Sequence, residues 1–472
     1  MTTVDPRTWT KDSITQHRGF ESLADETRID SLPVHGTLPG WLTGSLIRTG
    51  PALWDLEAQT MKHWFDGLAM LHSFSFDDGS VSYGGRFLQT RAYRAAQERG
   101  RISYPEFATD PCRSLFQRVT SMFSPKLTDN ANVNVVRLGE RFVAMTETPL
   151  PVQFDRQTLE TAGVAYTAPG QLTTAHPHVD RETGGMINYA AQLGPKNTYR
   201  FFHLPPDGDH PEVIAEKRAG EPAYMHSFGQ TPNWLALAEF PFVVNPLRLA
   251  FSGRPYIENY RWKPELGTKI HLLGRDGRTD TRSFETEARF AFHHVNSYED
   301  GDEVVVDVCT YPDAGVVQDL YLERLRAGKP VATAYLERFR LSLATGQATV
   351  ERLLDEPIEL PRINYGRCHE RPYRYVWGVG VASGWLDRIV KGDVVDRTSS
   401  VWHEEGTYPG EPVFVRAPEA QGEDEGVLLS VVLDGRRGNS FLLVLDACTL
   451  EELARAEVPH HIPFGFHGQF MR

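Results

Sequence analysis

Short apolar runs separated by turn-forming residues recur along the chain from Leu42 onward. Examples are LTGSLIRTG (42–50), MLHSFSF (70–76) and EVVVDVCTYP (303–312), and further runs lie at 141–148, 185–193, 234–244, 333–343, 373–381, 426–435 and 440–450. Runs of this length between Gly, Asp and Pro predict β-strands joined by tight turns. Strands are therefore expected to outnumber helices heavily.

Two segments predict helices instead. Residues 92–99 end at Gly100, and residues 317–327 end before Gly328 and Pro330. Many short antiparallel strands without the alternating helices of a parallel sheet favour a β-propeller or a large sandwich. No short signature recurs at blade length, so repeats do not give the number of blades.

One region, residues 103–126, breaks the strand pattern. Basic residues surround five apolar residues that recur there at helical spacing. The apolar residues are Leu115, Phe116, Val119, Met122 and Phe123. Two interpretations are open at this point. The helix packs on the core, or it lies in a membrane interface with its apolar face in the lipid.

Composition narrows the class of protein. The 472 residues are 40% hydrophobic, and 40 Gly and 31 Pro supply the punctuation that a single large β-fold needs, so we expect one domain over residues 1–472. The formal charge of −13 argues against a nucleic-acid partner, which would require a basic patch. No obligate protein partner is inferred.

Cysteine usage and the N-terminal sequence bear on the compartment. Cys112, Cys309, Cys368 and Cys448 are far apart, so neither a disulfide framework nor a thiolate zinc site is expected. No apolar signal region and no run of about 18 apolar residues is present. These features predict a cytoplasmic protein, with peripheral contact at the inner face of the membrane left open.

The C-terminal stretch 457–472 is apolar where chain ends are usually polar. Ile462, Phe464 and Phe466 predict that the segment is drawn into the interior, which would bury His467. A buried imidazole needs a partner, either a backbone carbonyl or a metal ion. Among the 17 histidines no HExxH or HxxxH spacing occurs, so spacing alone leaves both alternatives open.

Longer motifs carry a family resemblance. TTAHPHVD (173–180), YMHSFG (224–229), FAFHHVNSYED (290–300) and IPFGFHGQF (462–470) resemble, in order, the four histidine motifs of the carotenoid cleavage oxygenase family. The similarity also includes GSLIRTGPALW (44–54), HWFDGLAMLHSF (63–74) and TDNANVNVV (128–136). It covers nearly the whole chain.

The resemblance implies a fold and a site. The fold is an all-β, seven-bladed β-propeller with a cap of loops and short helices over a non-haem Fe(II) on the axis. The resemblance implies four iron ligands, His176, His226, His293 and His467, and three outer carboxylates, Glu147, Glu359 and Glu411. His178 and His294 are left as structural histidines. Val133 corresponds to a residue that shields an open iron position, and Phe107 is expected in the substrate pocket.

The activity that the resemblance implies is oxidative cleavage of a carotenoid or apocarotenoid double bond by O2, giving aldehydes. Cleavage of a stilbene-like compound and isomerohydrolysis of a retinoid ester on the same iron are the enzymatic alternatives. A catalytically silent carotenoid-binding propeller is a third. A zinc hydrolase is disfavoured because catalytic zinc normally has three protein ligands.

Residues 105–126 look closest to the animal branch of the family, whose members touch membranes through this region. The resemblance therefore favours membrane docking by this segment. Cys112 resembles a cysteine there that can be lipidated, although a plain buried thiol is the commoner role.

Overall fold

The computed structural model describes residues 16–111, 127–194, 196–275 and 280–472. Most of the predicted helix within 103–126, together with Cys112, lies outside the described residues. In the described part of the chain, no helix is long and apolar enough to span a bilayer.

Seven antiparallel sheets of four to six strands form the blades of a β-propeller. Blade 1 contains Thr27–Ile29, Gly44–Leu53, Leu68–Asp77, Ser80–Phe87 and Gly468–Met471; blade 2 contains Asn134–Leu138, Arg141–Met145, Val152–Phe154 and Thr161–Val164; blade 3 contains Leu172–Thr173, His178–Val179, Met186–Gln192, Thr198–Leu204 and Glu212–Arg218. Blade 4 contains Gly229–Gln230, Trp234–Glu239, Thr268–Gly274 and Thr281–Thr286; blade 5 contains Phe290–Asp300, Glu303–Tyr311, Tyr335–Ser342 and Ala348–Arg352. Blade 6 contains Glu359–Arg362, Tyr375–Val381, Leu386–Asp393 and Thr398–Trp402; blade 7 contains Val34–Gly36, Thr407–Pro409, Val413–Arg416, Gly426–Asp434, Asn439–Asp446 and Glu452–Glu457. The strong strand pattern of the sequence is confirmed.

Two two-stranded sheets and several short helices lie between the blades. The small sheets pair Asp55–Leu56 with Gln59–Thr60 and Phe242–Val243 with Arg261–Trp262. The α-helices are Arg91–Arg99, Pro246–Phe251, Gly315–Asp319, Leu322–Arg326 and Tyr365–Cys368, and the 3-10 helices are Gln16–Phe20, Trp64–Asp66, Ile257–Asn259 and Pro264–Leu266.

Both ends of the described chain close the ring. Gly468–Met471 pairs with Gly44–Leu53, so the last strand joins a blade built from the first part of the chain. Val34–Gly36 pairs in turn with Glu452–Glu457 of blade 7. This closure explains why residues near the C-terminus are apolar, because they are buried between blades.

The strands in the middle of each blade are buried on both faces. In Glu303–Tyr311 every residue after the first is buried, because neighbouring blades cover both sides of the sheet. The sequence of such a strand is therefore a continuous apolar run. In a sheet with one face exposed to solvent, apolar and polar residues would alternate instead. The tight turn at Asp78 and Gly79, with φ angles of 43° and 74°, has the left-handed geometry that a two-residue hairpin requires.

One predicted helix is confirmed and the other was wrong in its extent. Arg91–Arg99 ends at Gly100, which has φ 62°. The segment 317–327 is instead two short helices, Gly315–Asp319 and Leu322–Arg326, with Tyr321 extended between them. Tyr321 bridges to His63, and the neighbouring backbone also bonds to the segment around His63, so tertiary pairing interrupts the helix.

Three long connections cover one end of the axis. They run between blades 1 and 2, within blade 4 and within blade 5, and they supply Phe107, Tyr256 and Val331 to one cavity. This cap of loops and short helices matches the expected architecture.

Candidate metal centre

Four histidines converge on the propeller axis from four blades. His176 lies between the two inner strands of blade 3, and His226 precedes Gly229–Gln230 of blade 4. His293 lies within Phe290–Asp300 of blade 5, and His467 immediately precedes Gly468–Met471 of blade 1. Inner strands approach one another at the axis, so residues far apart in sequence meet there.

The four imidazoles form a compact group that could hold a metal ion. One ring nitrogen of each lies within 4.8 Å of the others. The Nε2 atoms of His176 and His226 are 3.1 Å apart, as are those of His293 and His467. Two ligands at right angles, each about 2.1 Å from a first-row metal, would lie about 3 Å apart, so the spacing fits.

Three carboxylates from the remaining blades accept the outer N–H groups of three of these rings. Glu147 of blade 2 lies 2.7 Å from His226 Nδ1. Glu359 of blade 6 lies 2.5 Å from His293 Nδ1, and Glu411 of blade 7 lies 2.7 Å from His467 Nδ1. Each blade thus contributes one of the seven residues, and His176 has no carboxylate partner among the described residues.

This arrangement fixes which nitrogen of each ring carries a lone pair. A neutral imidazole that donates from Nδ1 has an unprotonated Nε2. The Nε2 atoms of His293 and His467 would therefore face each other as lone pairs at 3.1 Å. Such a pair is repulsive unless a cation lies between them, which is an argument for a metal from the protein atoms alone.

Burial favours the neutral form of His176, His226 and His467. Desolvation lowers the pKa values of His176 and His467 well below the ordinary value, and neighbouring histidines shift them in the same direction. Burial also lowers the pKa of His226, although the hydrogen bond to Glu147 opposes the shift. Neutral imidazole is the form that binds metals.

The carboxylates are themselves held in place by residues that sequence reasoning missed. Tyr224 donates to Glu147 at 2.6 Å, and Tyr311 donates to Glu359 at 3.2 Å. Arg362 lies 2.8 Å from Glu411. Tyr224 is two residues before His226 in the YMHSFG motif, and this proximity to an expected ligand is the one sequence feature that could have pointed to its role. The partners of Glu359 and Glu411 are distant in sequence.

Glu411 lies in a loop of blade 7, between Thr407–Pro409 and Val413–Arg416. It is only 1% exposed. Its second oxygen accepts from the backbone N–H of Gly468, next to His467. The loop therefore lies at the axis beside His467.

The two histidines expected to be structural lie outside the cluster. His178 bonds to the backbone oxygen of Phe228 and to the hydroxyl of Tyr365. His294 bonds to Ser227 Oγ at 2.8 Å. Adjacent side chains on a strand point to opposite faces, so only one residue of the pair His293 and His294 reaches the centre. His176 precedes the strand His178–Val179, so alternation does not apply to those two histidines.

A mostly apolar cavity opens onto the histidines. Val133 and Phe107 both line it, together with His226, His293 and His467. Val133 also accepts a backbone hydrogen bond from His467 at 3.2 Å, which places it beside the cluster. An elongated hydrophobic molecule could lie in this cavity next to the four nitrogens.

Comparisons with known proteins agree with this geometry. The chain matches the family described as "Retinal pigment epithelial membrane protein" over residues 20–472. It is 35% identical to the mitochondrial carotenoid-cleaving dioxygenase of Macaca fascicularis, over 93% of this chain and 92% of the relative. It is also 35% identical to the β,β-carotene 15,15'-dioxygenase of Rattus norvegicus, over 93% of this chain and 88% of the relative.

Solved structures show the same fold. A mutant of the Synechocystis apocarotenoid oxygenase superposes with a TM-score of 0.86 at 26% identity, covering 96% of this chain and 98% of that one. A cobalt-substituted form of the Synechocystis enzyme gives 0.85 at 26% identity with the same coverage. Both the extent of the family match and the identity to these relatives lead to one conclusion: the chain belongs to the carotenoid cleavage oxygenase family.

Proposed function

We propose that this protein is an Fe(II)-dependent dioxygenase that cleaves a conjugated double bond of a carotenoid or apocarotenoid to give aldehydes. The observation that carries the proposal is the four-histidine cluster at the wall of an apolar cavity. The names of its relatives, carotenoid-cleaving dioxygenase and β,β-carotene 15,15'-dioxygenase, support the same reaction class.

His176, His226, His293 and His467 would hold the iron. Four neutral nitrogen donors without a thiolate suit a ferrous ion, and four protein ligands leave coordination positions free. Bound Fe(II) would supply the activation of O2. The protein's part is to keep the four Nε2 atoms unprotonated and correctly spaced.

Glu147, Glu359 and Glu411 orient three of the rings and offset the charge of a divalent ion. Glu147 and Glu359 each accept a hydrogen bond from a tyrosine hydroxyl, and Glu359 also accepts one from the backbone N–H of Leu360. Glu411 instead pairs with Arg362. The negative charges of Glu147 and Glu359, which pair with no guanidinium group among the described residues, would balance the two positive charges of Fe(II).

The cavity walls select and position the substrate. A polyene offers few polar groups, so its shape fit between apolar side chains decides which double bond lies beside the histidines. Val133 lies at the cluster and would limit access to one side of it, and Phe107 would contact the chain of the polyene.

We further infer that the chain is one domain over residues 1–472 and that it docks reversibly on membranes, where polyenes dissolve. Residues 105–111 are the described part of the predicted docking segment 105–126. Beside them, the connection that supplies Tyr256 to the cavity carries helix Pro246–Phe251, on which Leu247 and Phe251 are 72% and 70% exposed. Exposed large apolar residues beside a lipophilic cavity support this orientation.

Metal loading followed by product analysis tests the proposed reaction. Protein loaded with Fe(II) without oxygen and then exposed to air with β-carotene or an apocarotenal should bleach the polyene and form aldehydes. Zinc-loaded protein is the control and should form none. Iron binding without cleavage of either polyene would overturn the proposal and direct attention to retinoid esters and stilbenes.

A further inference from the structure

The cavity has two chemically different sides. One side is formed by blade 6 and by the long connection within blade 5, and most of its lining is hydrocarbon. Val331, Val379 and Leu386 are representative of it. The Glu359 carboxylate of blade 6 also lines the cavity, but it is already bonded to His293 and Tyr311. A terminal ring without polar atoms would be fully accommodated on this side.

The side across the axis carries oxygen atoms. It is formed by the connection into blade 2 and by the long connection within blade 4. Glu106, Thr128, Thr148 and Tyr256 line it. Oxygen atoms on one side of an otherwise apolar cavity are informative, because a buried polar group without a partner is costly.

Most of the hydroxyl protons on this side are already used within the protein. Thr128 donates to Glu106 Oε1 at 2.8 Å, and Thr148 donates to the backbone oxygen of Thr128 at 2.8 Å. The hydroxyls of Tyr256 and Tyr260 bond to each other at 2.7 Å, which uses the proton of one of the two. A ligand oxygen therefore finds few unused hydroxyl donors here.

Glu106 can supply a further donor. Its Oε2 receives one long contact from Asn130 Nδ2, at 3.4 Å, and that amide lies closer to the backbone oxygen of Gly67, at 3.0 Å. Burial raises the pKa of Glu106 well above its ordinary value, and the nearby Asp66 carboxylate raises it further, although the hydrogen bond from Thr128 opposes the shift. A carboxyl group kept neutral in this way has an O–H to donate.

We propose that the substrate carries an oxygen atom at one end, as a hydroxyl or aldehyde, and that the carboxyl group of Glu106 binds this end group. The hydrocarbon end then lies against Val379 and Leu386. This inference rests on the proposed polyene cleavage and names the end group that the cavity recognises. A hydrocarbon ring beside Glu106 would leave the carboxyl without a partner, so the site discriminates against it.

A comparison of two matched substrates tests the assignment. Initial rates are measured on β-carotene and on β-carotene carrying one ring hydroxyl, with iron-loaded wild type, Glu106→Leu and Glu106→Gln. We expect wild type to prefer the hydroxylated substrate. Glu106→Leu should reduce the ratio of the two kcat/KM values about tenfold, which is the effect of one hydrogen bond. Glu106→Gln should keep most of the preference for the hydroxylated substrate, because its amide can donate a hydrogen bond. Glu98→Leu, an exposed position on Arg91–Arg99, is the control and should leave the ratio unchanged.

Binding without turnover separates this inference from the reaction. Trp64 and Trp385 line the cavity, so bound polyene should quench tryptophan fluorescence in metal-free protein. A Glu106-dependent preference in binding supports the inference even if no polyene is cleaved. If wild type and Glu106→Leu prefer the hydroxylated polyene equally, the inference is overturned, whether or not cleavage occurs. Failure of both polyenes to bind also overturns the inference. If Glu106→Leu does not fold, Thr128→Val replaces it, since loss of the Thr128 hydroxyl removes the bond that orients Glu106.

Discussion

At the scale of single residues, the outer carboxylates decide whether the histidines can hold a metal. The Glu359 carboxylate fixes the tautomer of His293 and supplies negative charge about one ring away from the Nε2 atom. We predict that Glu359→Gln lowers Fe(II) affinity roughly 10- to 100-fold, because the amide can still accept the bond but carries no charge. Competition with a calibrated chelator measures the affinity.

The exposed variant Glu98→Gln serves as the control for a general loss of acidic charge. It should bind Fe(II) as wild type does. An unchanged affinity in Glu359→Gln would mean that the carboxylate charge does not support the metal.

A second residue-scale prediction concerns pH. Burial lowers the pKa of His72 to about 3 in the folded protein, whereas the unfolded chain has the ordinary value of 6.5. Between these values the unfolded chain binds a proton that the folded chain does not, so stability falls as the pH falls below 6.5. Replacing this group should reduce the pH slope of the unfolding free energy by about 1.4 kcal/mol per pH unit.

Urea unfolding of wild type and His72→Asn at pH 5 and pH 7 measures this slope. His72 lies on blade 1 and bonds to the Tyr83 hydroxyl, away from the four-histidine cluster. Equal slopes for the two proteins would show that His72 is not buried in its neutral form.

The identity of the site residues could be predicted from the sequence better than the contacts between them. The four histidines, Val133 and Phe107 follow from the motifs that carry the family resemblance. The structure brings the histidines together, and three of them line one cavity with Val133 and Phe107. Arg362 and Tyr311 could not be assigned, because they contact carboxylates through pairings between blades that no local spacing encodes. Glu106 was within the predicted docking segment, but its burial depends on Thr128 and Asn130 from the next part of the chain.

At the scale of elements, the last strand connects ring closure to the site. Gly468–Met471 follows His467 directly and pairs with Gly44–Leu53. We predict that deleting residues 469–472 lowers stability by at least about 2 kcal/mol, the cost of losing one buried side chain such as that of Met471. It should also weaken Fe(II) binding, although His467 remains.

Unfolding in urea and metal retention on a desalting column measure the two effects. Removal of Arg472 alone is the control, because this residue is exposed. A truncated chain that retains full stability and iron would contradict the structural role of the closing strand.

Strand patterns were predictable because middle strands are buried on both faces, which leaves continuous apolar runs. The split of 317–327 into two helices was not predictable. Its apolar spacing suits one helix, but the bridge between Tyr321 and His63 and the adjoining backbone bonds interrupt it. Repeats could not give the number of blades, because blade sequences share no signature, but the family resemblance predicted seven blades and the structure confirms them.

At the scale of the whole molecule, the proposed docking face predicts vesicle binding. Leu247→Ser with Phe251→Ser should reduce co-sedimentation with phosphatidylcholine and phosphatidylglycerol vesicles at least about tenfold, since each buried apolar side chain contributes about 1.5–3 kcal/mol. Val395→Ser is the matched control, because Val395 is 62% exposed but belongs to blade 6, outside the cap. Similar losses in both variants would contradict a specific docking face.

The central claim is that the four histidines support oxygenative cleavage, and isotope labelling tests it most directly. Iron-loaded wild type and His293→Ala are incubated with an apocarotenal under isotopically labelled O2, and the products are analysed at once by mass spectrometry. The account predicts labelled aldehydes from wild type and none from His293→Ala. Unlabelled products, or labelled products in equal amount from the variant, would contradict it.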